Sequence, residues 1–352
     1  MSKMLEEIRQ QPAAIERTLA EEIPNVEELK RLFSTKRPKY IVLAARGTSD
    51  NAAQFARYLI EITTGIPVSL AAPSIYTLYN AKLDLRDSLV VAVSQSGEST
   101  DINMVLESAR EAGAQTVAIT NEADSTMAKL AGNAILVRAG RELSVAATKT
   151  YTGQLMAFYL LAYALGAGVT RDHLQRIPMS AASALGLFDQ VREISSRYRF
   201  MEHAVVVGRG INYANVFEFA LKLMETCYVI AERFSTADFH HGPIAMVERD
   251  FPVFLFAPPG VASLSASGML DTLRTLNAET LIITDEGNRQ MTSAVERKLI
   301  LTDVVRDPGL PEDLFTPIPY ILPAQMFAAC LAEHKGLNPD APRTLSKVTK
   351  TI

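Results

Sequence analysis

Short apolar runs alternate with helix-like stretches along this chain, and the series runs through twice. In the first series Tyr40–Leu43 ends in A-A-R-G-T-S-D, and a helix-like stretch follows to Glu61. Ser88–Val93 ends in S-Q-S-G-E-S-T-D before a helix to about Ala112. Thr116–Thr120 and Ala134–Val137 supply two more strands, and a long apolar helix runs from about Ala147 to Leu165. Then the order restarts. Ala204–Val207 ends in G-R-G and leads into a helix around Glu218. Val253–Phe256 ends in A-P-P-G before another helix, Thr280–Thr284 and Lys298–Leu301 follow, and a long helix spans roughly Pro319–Lys335. Continuous apolar strands alternating with helices predict a parallel sheet covered on both faces. Repetition of the series predicts two copies of one unit. The expected fold is α/β: two tandem domains, each a parallel sheet flanked by helices in three layers. The expected boundaries are a helical arm over 1–36, a first domain over 37–170, a linker helix over 171–199, a second domain over 200–335 and a tail over 336–352.

Composition removes several classes of function. Hydrophobic content of 48% and charged content of 21% describe an ordinary globular protein. A net charge of −4 argues against a nucleic-acid footprint. The start, M-S-K-M-L-E-E-I, is charged and has no apolar signal core. No apolar run reaches the roughly 18–20 residues of a membrane span. Cys227 and Cys330 lie in apolar helical contexts with no metal spacing and no disulfide framework, which suits the cytoplasm. The five histidines show no paired ligand spacing, so neither a metal nor a cofactor is expected.

In open parallel sheets, ligands bind beyond the carboxyl ends of the strands. Two hydroxyl-rich loops fall there. Ser94-Gln95-Ser96-Gly97-Glu98-Ser99-Thr100 offers hydroxyls and backbone N–H groups where a helix begins, a cradle suited to a phosphate. Thr48 and Ser49, after Gly47, form a second such loop. Plain N-capping would explain either loop alone. The chain holds no G-x-x-x-x-G-K-[ST], and Gly208-Arg209-Gly210 lacks the third glycine of a dinucleotide fingerprint.

The stretch from Glu218 to Pro243 reads E-F-A-L-K-L-M-E-T-C-Y-V-I-A-E-R-F-S-T-A-D-F-H-H-G-P. Its first part is apolar on nearly every side, as in a buried helix. Yet Glu218, Lys222 and Glu225 fall at i, i+4 and i+7, on one face. Buried charges are costly unless paired or functional. Two accounts fit these residues. One is acid–base chemistry beside the His-His-Gly-Pro turn. The other is a Glu218–Lys222 pair facing solvent near a chance histidine.

Taken together, G-T-S at 47–49, S-Q-S-G-E-S at 94–99, V-A-A-T-K at 145–149, E-F-A-L-K-L-M-E at 218–225, H-G-P at 241–243 and P-R-T-L-S-K at 342–347 resemble the double sugar-isomerase (SIS) proteins. They look most like the isomerase half of glucosamine-6-phosphate synthase and the SIS-type glucosamine-6-phosphate deaminases. The resemblance covers roughly residues 35 to 352. It implies that Thr48, Ser49, Ser94, Gln95, Ser96 and Ser99 hold a sugar phosphate. Val145 and Ala147 would make backbone contacts to the sugar, although the synthase has Ser at the latter position. Glu225 would move the proton between C1 and C2, with Lys222 and Glu218 as polar neighbours. His241 would open the ring, acting in the site of the partner subunit of a homodimer. Lys347 would close over the substrate; the tail itself reads either as a lid anchored by Arg343 or as a segment that merely packs on the second unit. Arg46 stands where the synthase has cysteine, and A-R-G-[ST]-S-D looks more like the deaminase branch. Met224 stands where the synthase often has Lys.

An aldose–ketose shift needs a carboxylate beside C1 and C2, an acid–base for the ring and a hold on the phosphate. It needs no metal if hydrogen bonds stabilise the enediol. Position 2 is Ser2, and the residues ahead of Tyr40 are too few for a glutaminase. The expectation is an isomerase/deaminase that converts glucosamine 6-phosphate to fructose 6-phosphate and ammonia without using glutamine. A fructosamine-phosphate deglycase, an ammonia-dependent enzyme running in reverse and a non-enzymatic sugar-phosphate sensor remain as alternatives. No nucleic-acid or membrane partner is expected.

Overall fold

The computed structural model describes residues 1–294, 297–345 and 347. Two helices open the chain, α1 (Lys3–Arg9) and α2 (Gln11–Thr35). The first series then runs β1 (Tyr40–Ala44), α3 (Thr48–Thr64), β2 (Val68–Leu70), α4 (Ser74–Thr77), β3 (Ser88–Val93), α5 (Thr100–Glu111), β4 (Gln115–Thr120), α6 (Thr126–Leu130), β5 (Asn133–Leu136) and α7 (Lys149–Ala164). Helices α8 (Arg171–Leu185) and α9 (Phe188–Ser196) follow. The second series is β6 (His203–Gly208), α10 (Tyr213–Cys227), β7 (Ile230–Ser235), α11 (Thr236–His240), β8 (Pro252–Phe256), α12 (Ser263–Thr275), β9 (Glu279–Asp285), α13 (Arg289–Ala294), β10 (Lys298–Leu301) and α14 (Pro317–His334).

The chain forms two compact units. One comprises Ala13–Glu142 and Lys149–Gln175, together with Lys347 of the tail. Its five parallel strands are ordered β2-β1-β3-β4-β5. All six residues of β3 are buried, as a central strand covered on both faces requires. On α5, Ile102, Val105, Leu106 and Ala109 recur at i, i+3, i+4 and i+7 and pack on Val42, Val90, Ala92 and Ala118 of the sheet.

The other unit comprises Met1–Pro12, Leu143–Thr148 and Arg176–Leu345. Its sheet, β10-β9-β8-β6-β7, is also parallel and repeats the first order. Phe219 of α10 and Phe327 of α14 meet Phe254 of β8 edge to face. In each sheet the chain steps from the first strand to one neighbour and then crosses to the other. The reversal falls between β1 and β3 in one sheet and between β6 and β8 in the other. Crevices at such reversals are where ligands of this class of sheet bind.

The two-fold α/β layout agrees with the sequence expectation. Sequence periodicity missed the equivalent edge strand of each sheet, β2 and β7. β2 is only three residues long, and β7, I-A-E-R-F-S, carries charges of the kind that protect an edge.

Candidate active site

In the β1–β5 unit the loop after β3 is tightly specified. Gly97 has φ +66°, and a Cβ there would run into the Ser125 side chain. The Gly97 carbonyl accepts from Met127 N (3.0 Å) and Asn103 Nδ2 (3.2 Å). Gln95's carbonyl accepts from Asn121 N (3.1 Å) and Thr120 Oγ1 (3.3 Å). Ser99 occupies the N-cap position of α5 but makes no capping bond. Its hydroxyl lies 3.0 Å from that of Ser94. Simple capping therefore does not account for Ser99. The backbone N–H groups of Ser96, Ser99 and Thr100 have no acceptor among the described residues. Unpaired N–H groups at a helix start are an anion site in waiting. Glu98 in the same loop is turned onto Thr126, accepting from its N–H and hydroxyl, each at 2.8 Å. The backbone bond first, then the hydroxyl bond, holds its carboxyl below the usual value.

Thr48 opens α3 and is half-buried, while Ser49 Oγ is held by Gln154 Nε2 at 2.9 Å. Arg46, half-exposed, leans on buried Asp101 at 2.7 Å, one residue beyond the start of α5. Motif reading gave Arg46 no role, yet it is a cation fixed next to the start of that helix. Lys347 donates to Glu142 Oε2 at 2.7 Å, and the Glu142 side chain is fully buried. Glu142 also accepts from Thr150 N (3.2 Å) and Thr150 Oγ1 (2.7 Å). Sequence reasoning missed Glu142, because its ligand lies 205 residues away. Of the expected lid, residues 346 and 348–352 lie outside the described residues.

In the β6–β10 unit, α10 carries the charged face as expected. Lys222 Nζ lies 3.3 Å from Glu218 Oε1 and 2.6 Å from Glu225 Oε2. Glu218 and Lys222 have no exposed side-chain surface, so the solvent-facing account is excluded. Glu225 is the member that reaches the surface, at 23%. Burial alone would lower the ammonium's pKa, but Glu218 and then Glu225 outweigh it, leaving Lys222 above the ordinary lysine value. A charged trio of this kind persists only where pairing offsets desolvation. The helix ends at Tyr228, whose φ of +56° is unusual for a non-glycine residue. Arg343 stacks 4.2 Å over the Tyr228 ring, and its N–H donates to Tyr228 Oη at 2.8 Å. Arg343 thus ties this part of the tail to Tyr228.

His241 follows α11 and is exposed, next to Gly242 at φ +148°. Val145 and Ala147 are half-buried in the loop Leu143–Thr148, and the Val145 N–H is taken by the Asp340 carbonyl at 3.2 Å. Cys227 and Cys330 are buried, and burial pushes their thiols up to about 12 and about 11, so both are inert. Among the described residues, no group of His, Cys, Asp or Glu is arranged to hold a metal ion. No helix among them is long and apolar enough to cross a membrane.

The crevice between β6 and β8 is built differently. Gly210 and Gly260 line it at φ +67° and +83°. A Cβ on Gly210 would stand 3.7 Å from Asp313 Oδ2, and one on Gly260 would stand 3.1 Å from the Glu312 side chain. Carboxylates of the chain itself occupy this strand end.

Comparison with known proteins agrees with this architecture. The SIS domain family matches residues 35–164 and 199–307. A glutamine–fructose-6-phosphate aminotransferase (isomerizing) of Pyrococcus horikoshii is 35% identical over 98% of this chain. The chain spans 57% of that protein's length. The C-terminal domain of glucosamine-fructose-6-phosphate aminotransferase from Francisella tularensis superposes with a TM-score of 0.88 at 26% identity, covering 97% of this chain and 98% of that one. A glucosamine-6-phosphate deaminase from Thermotoga maritima shares the fold at a TM-score of 0.73 and 21% identity, covering 99% of this chain and 100% of that one. The chain belongs to the SIS domain family, with a match to the family in each of its two sheet-forming series.

Proposed function

We propose that this chain is a phosphosugar isomerase/deaminase that interconverts glucosamine 6-phosphate with fructose 6-phosphate and ammonia. One observation carries the reading: a fully buried Glu218–Lys222 pair presents a single partly exposed carboxylate, Glu225. A pair that only stabilised the helix would have no need of a third charge reaching the surface. In this reading Glu225 carries the proton between C1 and C2 of the open-chain sugar. Lys222 fixes one of its carboxylate oxygens and leaves the other for substrate. The N–H groups and hydroxyls of the Ser94–Ser99 loop take the phosphate, together with Thr48 and Ser49. Val145 and Ala147 contact the sugar. His241 opens the ring from the partner of a homodimer. Lys347 completes the site as the substrate is enclosed. The substrate class is supported by relatives above 30% identity whose names specify fructose 6-phosphate.

The test is ammonia release from a panel of amino-sugar and fructosamine phosphates, run alongside glutamine. Release from glucosamine 6-phosphate, none from glutamine and loss of most turnover in Lys347→Ala are expected. Preference for a fructosamine phosphate would make the protein a deglycase. Tight binding without turnover of any member would make it a sensor.

A further inference from the structure

The loop Leu143–Thr148 is held at its start by Glu7 and at its end by Gln325, which Gln11 meets in turn. Glu7 of α1 is 4% exposed, and its carboxylate accepts from the N–H groups of Leu143 and Ser144. These partners lie 136 and 137 residues away in sequence. The next N–H, that of Val145, donates to the Asp340 carbonyl at 3.2 Å. The Asp340 carboxylate in turn caps α1, accepting from Lys3 N (2.9 Å) and Met4 N (2.8 Å). Ser2, in the N-cap position, provides no side-chain cap of its own. At the far end, the Thr148 carbonyl accepts from Gln325 Nε2 (3.4 Å), and Gln325 Oε1 accepts from Gln11 Nε2 (2.7 Å). Both glutamines are fully buried. Met4, Leu5 and Ile8 are at most 1% exposed, which fixes α1 in place.

Ser144, Ala146 and Thr148 of this loop are buried. Leu143, its largest apolar side chain, is 49% exposed. Surface loops usually satisfy their N–H groups with local turns or water. Here three successive N–H groups depend on α1 and Asp340. We propose that Glu7 is a positioning residue for the sugar-contacting loop and that the first twelve residues act as its clamp. The Glu7 carboxylate sets the backbone path of Leu143–Val145, so that Val145 and Ala147 meet the ligand without first being ordered. Preorganisation of this kind raises affinity by removing an ordering cost from the binding step. The proposal rests on the phosphosugar function assigned above.

Amide hydrogen exchange and fructose 6-phosphate binding, both on the whole chain, test it. Glu7→Gln keeps the volume but only one acceptor oxygen, and Glu7→Ala keeps none. Leu273→Ala, on the buried face of α12, serves as a control matched for unfolding temperature. In both Glu7 variants, exchange at Leu143, Ser144 and Val145 should accelerate. The Kd for fructose 6-phosphate should rise about tenfold, the scale of one lost hydrogen bond to a charged group. Leu273→Ala should change neither. Unaltered exchange at 143–145 in Glu7→Gln overturns the clamp, and so does faster exchange without loss of affinity. If Glu7→Ala does not fold, Glu7→Gln carries both measurements. A wild type that fails to bind fructose 6-phosphate counts against the phosphosugar function, and the exchange pattern then decides the clamp alone.

Discussion

The carboxyl ends of the two sheets share one topology and offer a ligand opposite receptions. At the β1–β3 end, hydroxyls line the loop, and the N–H groups of Ser96, Ser99 and Thr100 lack acceptors among the described residues. At the β6–β8 end stand Pro258 and Pro259, which have no N–H to offer, and Glu312 and Asp313 crowd the glycines. The helices that follow the first strands differ in the reverse sense. α3 buries Ala52, Ala53, Ala56, Leu59 and Ile60 toward its unit, whereas α10 buries Glu218 and Lys222. Topology is the same at both crevices, but hydroxyls and N–H groups line one and carboxylates the other. In a duplicated fold, the two strand ends can therefore diverge in chemistry without any change of topology.

That contrast can be broken in three places. The largest effect should come from α10. Glu225→Gln should lower kcat by about 10²–10⁴-fold, the usual scale for a lost general base, while sugar-phosphate binding survives. On the proposal that His241 acts from the partner of a homodimer, mixing these chains with His241→Ala chains should restore part of the activity. Confirmed subunit exchange without recovery removes His241 from the partner's site. Next come Ser96→Ala and Ser99→Ala. Each should weaken binding by about tenfold with little change in kcat, because phosphate contacts act in ground and transition states alike. Calorimetry against fructose 6-phosphate and unphosphorylated fructose would show it, and equal affinity for the two sugars would end the cradle assignment.

The smallest effect belongs to the filled crevice. Burial raises the Asp313 carboxyl above its ordinary 3.8, its own backbone hydrogen bond offsets part of that, and Glu312 adds to the rise. The native state therefore holds this proton more tightly than the unfolded chain. The stability it contributes is complete below the ordinary value and is lost as pH rises through the raised one. Asp313→Asn has no such proton to lose. Its stability in urea should overtake wild type as pH rises toward neutral, match it in acid and leave sugar-phosphate affinity unchanged. A fall in affinity would show that the second crevice also takes part in binding.

Local pattern made much of this molecule legible. The central strands are apolar on both faces and announce themselves, as do charges spaced i, i+4 and i+7 on α10. The edge strands escaped because β2 is too short to show a period and β7 carries Glu232 and Arg233. Glu142, Glu7 and Asp340 escaped for another reason. Each is an ordinary polar residue in sequence and gains its role from a partner more than a hundred residues distant. Arg46 lay inside a recognised motif, but only the fold shows that Asp101 steadies it.

The cap that Asp340 places on α1 also orders events during synthesis. Met4 leaves the ribosome 336 residues before its acceptor does. At about 5–20 residues per second, that gap lasts tens of seconds. Throughout it, the Lys3 and Met4 amides lack their cap and the Val145 amide lacks its acceptor. The Asp340 cap on α1 can therefore form only after almost the whole of both units has been made.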